Sequence, residues 1–249
     1  MRFTCQTALL ALLLGGILTS GAALAGASIA PFEARYAVSS KGFKVGVMIR
    51  KLEITTGRTY RFTADFETTG LAGALKRVVI SESSTGEILG NKFRPRQYRY
   101  RKESGKKIEE SGADFDWAQA VATGFKGGQR WRLPLTGDEL DKVVYQLALA
   151  ADLLAGAELL DYTVPDAGKR QRFSVKRVGE EVISLAAGEV STLRVEYRRR
   201  DGRRTTLWCD PARDYLPVQI EYREKDGSVL RATLSRLRGD PPHGGPPSP

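Results

Sequence analysis

The sequence predicts a mainly β protein of the α+β kind, in which a curved antiparallel sheet or half-barrel wraps around one central helix at about residues 138–155. Three observations lead to this prediction. Apolar and polar residues alternate along most of the chain, glycine-containing turn sequences separate the alternating runs, and a single segment has helical periodicity instead. A chain of 249 residues can bury a substantial core, and we expect one domain over residues 30–238.

Residues 1–25 have the three parts of a secretory signal peptide. Arg2 supplies the positive start, residues 8–18 are apolar, and Ala23-Leu24-Ala25 fits the small-x-small cleavage pattern. The apolar run is shorter than the roughly 20 residues that a membrane-spanning helix needs. We therefore expect Sec-type export to the periplasm, cleavage near Ala25/Gly26, and no transmembrane span in the mature chain. Because Cys5 precedes the apolar run, we do not expect a lipoprotein.

The alternation begins at Phe32 and defines the strands. Clear runs start at Phe32, Tyr60, Leu193 and Val218, and each has one apolar and one polar face, as is typical of antiparallel sheets. Five turn sequences separate the runs: Lys41-Gly42, Thr56-Gly57, Ser104-Gly105, Asp201-Gly202 and Asp226-Gly227. Aspartate and glycine tolerate positive φ, so such pairs favour hairpins. We predict roughly ten or more strands, joined mostly as meanders.

The segment from Thr136 to Ala155 breaks the alternation. Thr136 and Glu139 have the spacing of a capping box, and Gly156 suits a C-cap. One helical face is apolar: Leu140, Val143, Val144, Leu147, Ala151 and Leu154. The other side mixes Asp141, Lys142, Gln146 and Asp152 with Tyr145, Leu149 and Leu153. This is too apolar for a helix with one side in water, which favours a helix enclosed by the sheet or bordering an apolar cavity. A single well-packed core helix is the alternative.

Residue types exclude several kinds of chemistry. The one histidine, His243, lies in the Pro- and Gly-rich segment 239–249, which we expect to be an unstructured tail. Histidine triads and histidine-rich metal sites are thereby excluded, and nucleophile-elbow, P-loop, Cys-x-x-Cys and His-Glu-x-x-His motifs are absent.

Cleavage after Ala25 leaves Cys209 as the one cysteine of the mature chain. Its neighbour Trp208 favours a buried thiol. We expect Gly70–Gly73 to form a tight bend, and we expect neither enzymatic activity nor a cofactor or metal.

One carboxylate pair is compatible with catalysis. Asp114 and Asp116 would point to the same face of a strand, where two carboxylates could share a proton or flank a sugar. Phe115 and Trp117 would then occupy the other face. Ordinary alternation, with the aromatic residues inward and the aspartates in water, explains the same four residues.

Basic residues are clustered in two places. In the first cluster, arginines and a lysine are interspersed with Tyr98 and Tyr100: Arg94, Arg96, Arg99, Arg101 and Lys102. In the second, arginines flank the turn at Asp201-Gly202: Arg198-Arg199-Arg200 and Arg203-Arg204. This composition is similar to that of nucleic-acid surfaces, but export argues against that partner. An anionic lipid headgroup, lipopolysaccharide phosphate or acidic polymer fits an exported protein better. The alternative is a solvated face without a specific partner.

A ligand cavity between sheet and helix would be lined by inward-facing residues of both. The candidates are Tyr36, Phe62, Phe66, Val143, Leu147, Ala151, Val195, Trp208 and Ile220. We therefore expect a non-enzymatic periplasmic protein of the cell envelope that binds a hydrophobic or amphiphilic ligand, such as a lipid or a lipoprotein. An envelope-assembly scaffold without a small ligand is the alternative, and a carboxylate-dependent hydrolase is a third.

Several segments resemble a known family. They are Phe32-Glu33-Ala34-Arg35-Tyr36, Thr69-Gly70-Leu71-Ala72, Phe115-Asp116-Trp117, Leu133-Pro134, and above all Leu207-Trp208-x-x-Pro211-x-x-Asp214-Tyr215-Leu216-Pro217-Val218. Over about residues 30–238 the chain resembles the domain-of-unknown-function 3108 family of exported proteobacterial proteins. The resemblance implies a β-rich envelope protein and supplies no activity and no functional residues. In shape, a curved sheet around a helix is similar to the half-barrel lipoprotein carriers of the periplasm.

Overall fold

The computed structural model describes residues 29–55, 58–199 and 201–239. The predicted signal peptide, the segment 240–249 with His243, and the turn at Thr56-Gly57 lie outside the described residues.

Fourteen strands and two short α-helices make up the described part of the chain. The strands are β1 (Phe32–Ser40), β2 (Phe43–Ile54), β3 (Thr59–Thr68), β4 (Val78–Leu89), β5 (Lys92–Ser104), β6 (Lys107–Asp116), β7 (Val121–Lys126), β8 (Gln129–Pro134), β9 (Asp161–Asp166), β10 (Lys169–Leu185), β11 (Gly188–Arg198), β12 (Arg204–Asp210), β13 (Leu216–Arg223) and β14 (Val229–Gly239). The helices are α1 (Gly70–Leu75) and α2 (Tyr145–Leu154), and a 3-10 turn covers Pro211–Arg213. The predicted mainly β class is confirmed.

All fourteen strands belong to one antiparallel sheet with the order β8-β7-β6-β5-β4-β3-β2-β1-β14-β13-β12-β11-β10-β9. Each strand pairs with its neighbours in the chain, apart from the break between β8 and β9, and β1 pairs with β14 as well. The two ends of the sheet approach each other. The Leu140 amide donates to the Thr163 carbonyl of β9 at 2.9 Å, and Lys126 Nζ of β7 lies 3.2 Å from Asp166 Oδ2 of β9. The sheet is therefore a nearly closed, barrel-like structure.

The predicted meander is confirmed, and so are the turns that the structure describes. At the β1–β2 turn, Lys41 and Gly42 both have positive φ, 50° and 83°, which suits a tight two-residue hairpin. Asp201-Gly202 joins β11 to β12, and Asp226-Gly227 joins β13 to β14. Local turn chemistry therefore predicted the connections correctly.

Helix α2 begins at Tyr145, so the predicted start near residue 138 is wrong. Glu139 forms a β-bridge with Thr163, and this pairing keeps the chain extended where we predicted the first turn. The capping-box contact exists, since the Glu139 carboxylate accepts from the Thr136 amide at 2.8 Å, but it closes a loop ahead of the bridge. Asp141 Oδ1 instead accepts from the amides of Val143 and Val144, just before α2.

Helix α1 lies where we predicted a tight bend, at Gly70–Gly73. It continues to Leu75, and the Lys76 amide donates to the Ala72 carbonyl at 2.9 Å. None of its residues is buried, and Leu71 and Leu75 are exposed. The glycines therefore open a short surface helix between β3 and β4 instead of a bend.

The main core joins α2 to the inner faces of strands from both halves of the sheet. Tyr145 stacks on Phe173 of β10 with ring centroids 5.0 Å apart, and meets Tyr197 of β11 edge-on at 6.2 Å. Buried residues of α2 are found on more than one side: Tyr145, Leu147, Leu149, Ala150, Ala151 and Leu153. A second cluster contains Ile183, Trp208 and Val218. Leu207 and Cys209 belong to the main core, so period-two alternation places Trp208 on the other face of β12.

Candidate ligand-binding clefts

A cleft of about 320 Å³ lies between α2 and the strands β1, β2, β13 and β14. We call it the apolar cleft. Its apolar lining includes Ile29, Phe32, Leu147, Ala150, Leu216 and Leu237, and its polar side chains are Arg50, Gln146, Arg213, Asp214 and Arg238. The volume is at the lower end of the range for small-molecule sites, and an apolar wall with a few polar groups is the usual composition of such sites.

Arg50 is the charged residue of this cleft that lies deepest in the protein. Strand β2 directs Met48, Arg50 and Leu52 inward, and Arg50 is only 3% exposed. Its guanidinium carbon lies 5.1 Å from the centre of the Phe62 ring, at cation–π distance. Its Nη1 atom is buried and has no hydrogen-bond partner among the described residues. A buried cation without an anionic partner carries a large desolvation cost, so this residue requires an explanation.

Two hydroxyl groups and a thiol near Arg50 are neutral. Tyr36 donates a hydrogen bond to the Pro217 carbonyl at 2.8 Å. Burial raises the pKa of Tyr36 to about 12, although the Arg50 guanidinium acts in the opposite direction. Burial likewise raises the pKa of Tyr222 and raises that of Cys209 to about 12, again against the influence of Arg50. These groups therefore stay neutral at ordinary pH and cannot balance the arginine's charge.

A second, polar cavity of about 420 Å³ borders the beginning of α2. We call it the polar cavity. Its lining includes the tyrosines Tyr98, Tyr100, Tyr145, Tyr197 and Tyr222, together with acidic and basic residues. Gln146 lines both cavities, and its Oε1 atom is buried without a partner among the described residues.

Some of the charges in the polar cavity are paired with one another. Lys142 Nζ lies 2.7 Å from Asp166 Oδ1, and Lys126 contacts the same carboxylate. Burial alone would raise the pKa of Asp166, but the two lysines lower it below its usual value. Glu82 accepts a hydrogen bond from the Tyr98 hydroxyl at 2.6 Å, and burial raises its pKa. Arg204 and Arg223 also line this cavity, and the Nε atom of each is buried without a hydrogen-bond partner among the described residues, so the polar cavity combines paired charges with unpartnered donors.

Asp141 precedes α2 and is next to Lys142, which lines the polar cavity. It is 1% exposed and accepts from the Ser84 hydroxyl at 2.5 Å and from the amides of Val143 and Val144 at 3.0 and 2.8 Å. Burial raises its pKa to about 7, even though these hydrogen bonds favour the ionised form. Ser84 is also bonded to the Tyr60 hydroxyl at 2.9 Å. This polar network links β3 and β4 to the start of the helix.

The nine predicted cavity residues are not all brought together. Leu147 borders the apolar cleft, and Val195 borders a small void beside Leu149. Tyr36, Phe62, Val143, Ala151 and Ile220 are buried in the main core, and Phe66 is a half-buried residue packed against that core. Trp208 lies in the separate second cluster.

Arg50, Asp141 and Gln146 were not identified from the sequence as residues of this site. We placed Asp141 and Gln146 on the mixed side of the helix without a role, whereas Asp141 is buried and Gln146 borders both cavities. The sequence does contain a signal for Arg50, because it occupies the same alternation phase as Met48 and Leu52. An arginine at an inward position of a strand is uncommon and marks a functional candidate.

The aspartate pair has other interactions in the structure. Asp114 is ion-paired to Arg99 at 2.7 Å, and Asp116 accepts from the Gln119 amide at 2.9 Å, in the turn after β6. Phe115 between them is buried, as ordinary alternation predicts. The two carboxylates thus act in a surface ion pair and a turn.

The basic runs are also extensively paired. Arg96 contacts Glu87, Arg101 contacts Glu103 and Glu110, and Arg94 lies 4.7 Å from the centre of the Trp117 ring. Around the β11–β12 turn, Asp201 and Glu196 accept the ion pairs of Arg198, Arg199, Arg203 and Arg204. The tyrosine between Arg96 and Arg99 points inward, because Tyr98 is buried. The alternation of arginine and tyrosine therefore separates an outer ionic face from an inner aromatic one.

Among residues 29–55, 58–199 and 201–239, no helix is long and apolar enough to cross a membrane. In the same part of the chain, no three histidine, cysteine, aspartate or glutamate residues are grouped so that they could hold a metal ion.

The fold and the two cavities define a mainly β, barrel-like protein with clefts beside a buried helix. Residues 34–235 match the family described as "Protein of unknown function (DUF3108)", and the chain belongs to this family, which confirms the resemblance seen in the sequence. No curated protein matches the chain. Among solved structures, it is similar to the crystal structure of a beta-barrel-like protein of domain of unknown function DUF1849 from Brucella abortus, with 13% identity and a TM-score of 0.57. That similarity covers 86% of this chain and 99% of the other, and it shows a shared fold.

Proposed function

We propose that this protein is a non-enzymatic, periplasmic component of the cell envelope that binds a hydrophobic or amphiphilic ligand between its curved sheet and helix α2. The observation that carries the proposal is the apolar cleft, in which Leu147 and Ala150 of the helix face Phe32 and Leu216 of the sheet. The signal-peptide pattern of residues 1–25 supports the location.

The proposal includes a sheet that wraps around α2. Burial of α2 on more than one side supports this arrangement, because a helix lying on an open sheet would leave one side in water. Tyr145 contacts β10 and β11, whereas Leu147 and Ala150 are directed toward β1 and β13 across the apolar cleft. Residues on opposite sides of the helix thus meet different strands of the same sheet.

An amphiphile fits the cleft better than a fully apolar molecule does. The lining combines apolar side chains with Arg50, Gln146 and three charged groups at Arg213, Asp214 and Arg238. A long apolar chain could cover the leucines and Phe32, and a polar end could meet the polar groups. A few convergent polar groups in an apolar site are what fixes a ligand's orientation.

The first experiment asks whether a ligand accompanies the native protein. The full chain would be produced in a bacterium, its location determined by osmotic-shock fractionation, and its N-terminus read by intact-mass spectrometry. Organic extraction followed by mass spectrometry would then identify bound lipid. We expect a periplasmic chain starting at Gly26 and a stoichiometric amphiphile.

A cleft-filling variant makes this experiment specific. Ala150→Leu adds three carbon atoms to a side chain that borders the apolar cleft, so we expect less co-purifying ligand. Ala118→Leu makes the same change at an exposed turn residue and serves as the matched control. A wild-type protein with no extractable ligand and a filled interior would contradict the proposal and favour the scaffold without a small ligand.

A further inference from the structure

We propose that Arg50 is the headgroup-binding residue of the apolar cleft, and that the ligand is a single-chain amphiphile with one anionic end, a carboxylate or a phosphate. This inference rests on the proposed function, because it assumes that the cleft takes a ligand. It goes further in naming the chemical class of that ligand and the residue that selects it.

The first argument is the unsatisfied charge of Arg50. Arginine keeps its proton in proteins, so the guanidinium remains a cation even where it is 3% exposed. Its Nη1 atom lacks a hydrogen-bond partner among the described residues. The same part of the structure offers no carboxylate within ion-pair distance, since none of the arginine–carboxylate pairs there includes Arg50. A ligand anion would satisfy both the charge and the free donor.

The second argument is that an acid group near Arg50 is already occupied. Glu82 is close enough for the charge of Arg50 to act on its pKa, but its carboxylate accepts a hydrogen bond from the Tyr98 hydroxyl at 2.6 Å. Arg50 instead faces Tyr36, whose hydroxyl donates to the Pro217 carbonyl, and the ring of Phe62. Neither group supplies a negative charge.

The third argument is the arrangement of the other polar groups of the cleft. Gln146 Oε1 is buried without a partner among the described residues, so it could accept from a hydroxyl of a headgroup or of a bound water. Arg238 adds a positive charge at the rim beside the carboxylate of Asp214, whereas Arg213 is already ion-paired with Asp210. Planar guanidinium groups recognise carboxylate and phosphate through paired hydrogen bonds. The cleft is thus suited to an anion at one end and to a hydrocarbon chain along the apolar wall.

Three probes with the same chain length test the inference on the wild-type protein. They are dodecanoate, dodecyl phosphate and the uncharged dodecan-1-ol, and binding is measured by calorimetry after co-purified lipid has been stripped on a hydrophobic resin. We expect at least one anionic probe to bind about tenfold more tightly than the alcohol, or more, because a charge-assisted hydrogen bond in a buried site has that effect. The tighter of the two anions identifies carboxylate or phosphate as the headgroup.

Variants then assign the preference to Arg50. Arg50→Met removes the charge and keeps an unbranched apolar side chain, so we expect the preference for anions to disappear while the alcohol binds as before. Arg50→Lys keeps the charge and should retain part of the preference. Arg35→Met, at an exposed position on the neighbouring strand β1, is the matched control and should bind all three probes like the wild type.

The outcomes separate this inference from the function on which it rests. Two results would overturn the anion site: equal affinity of the wild type for the alcohol and both anions, or an unchanged preference for anions in Arg50→Met. Either result would still be compatible with binding of an apolar ligand in the cleft. Failure of all three probes to bind would count against the ligand-binding function itself. If Arg50→Met does not fold, the wild-type comparison of the probes and the Arg50→Lys variant still decide the question.

Discussion

Asp141 accepts a hydrogen bond from the Ser84 hydroxyl at 2.5 Å, across 57 residues of sequence. The contact connects strand β4 to the turn that begins α2, and the second oxygen of Asp141 accepts from two backbone amides of that turn. The helix side of the apolar cleft therefore depends on this carboxylate, because the positions of Leu147 and Ala150 follow from where the helix begins.

The buried Asp141 makes stability depend on pH in a defined direction. Its pKa is raised to about 7 in the folded protein, against 3.8 for the ordinary aspartate. Between these two values the unfolded chain releases the proton and the folded chain keeps it, so this residue lowers the free energy of unfolding as the pH rises. We expect Asp141→Asn to have about the wild-type stability near pH 4 and to exceed it above pH 7, by up to about 4 kcal/mol.

Chemical denaturation of both proteins across that pH range measures this effect. Asparagine can still accept from the amides of Val143 and Val144 through Oδ1 and can donate to Ser84, so the geometry at the start of α2 is preserved. A stability difference that is independent of pH would show that the pKa of Asp141 is not raised in the folded protein.

The ion pairs of Asp166 hold the two ends of the sheet together. Lys126 of β7 and Lys142 before α2 both contact this carboxylate of β9 and lower its pKa. Asp166→Asn should reduce the free energy of unfolding at pH 7 by about 1–2 kcal/mol, between the values for exposed and buried pairs. Since the folded pKa is depressed, this contribution is present above the unfolded pKa and is lost as the pH falls through the folded value.

Asp161→Asn is the matched control on the same strand. Its contact with Arg172 is long, at 3.9 Å, and both side chains are exposed. We expect a change of less than about 0.5 kcal/mol in denaturation experiments. Equal effects of the two substitutions would mean that the pairing of Asp166 does not stabilise the closure between β7 and β9.

Cys209 should be unreactive in the folded protein. It is 1% exposed, and burial raises its pKa to about 12, so the thiolate that reacts with disulfide reagents is scarce. Labelling with an aromatic disulfide should be slow under native conditions and complete in guanidinium chloride. One thiol per unfolded chain would indicate that the segment with Cys5 has been removed, and two would indicate that it is retained. Fast labelling of the native protein would contradict the burial.

The hydrolase hypothesis for Asp114 and Asp116 has a direct test. We expect the double variant Asp114→Asn/Asp116→Asn to bind the amphiphile probes like the wild type and to lose no more than about 1 kcal/mol of stability. The reason is that Asp114 is in an exposed ion pair with Arg99 and Asp116 accepts from a turn amide. Turnover of cell-wall glycan by the wild type that the double variant lacks would instead establish the catalytic alternative.

Local sequence features were sufficient to predict the strands. The alternation from Phe32 to Val38 and from Val218 to Tyr222 appears as β1 and β13, and the Asp-Gly pairs join β11 to β12 and β13 to β14. Period two and turn chemistry depend on neighbouring residues only, so they can be read without knowing the fold. The family could be identified for the same reason, from the short block between Leu207 and Val218.

The position of the cleft and the burial of its charged groups depend on tertiary structure. Whether Arg50 lies in water or inside depends on which side of β2 the helix covers, and the pairing of Glu139 with Thr163 shifts the start of α2 away from its local capping signal. Trp208 faces the second cluster because Leu207 and Cys209 already occupy the main core. The sequence by itself determined a β meander with one buried helix, since those patterns are local. Only long-range packing determined which polar groups lie between helix and sheet, because burial depends on residues that are distant in the chain.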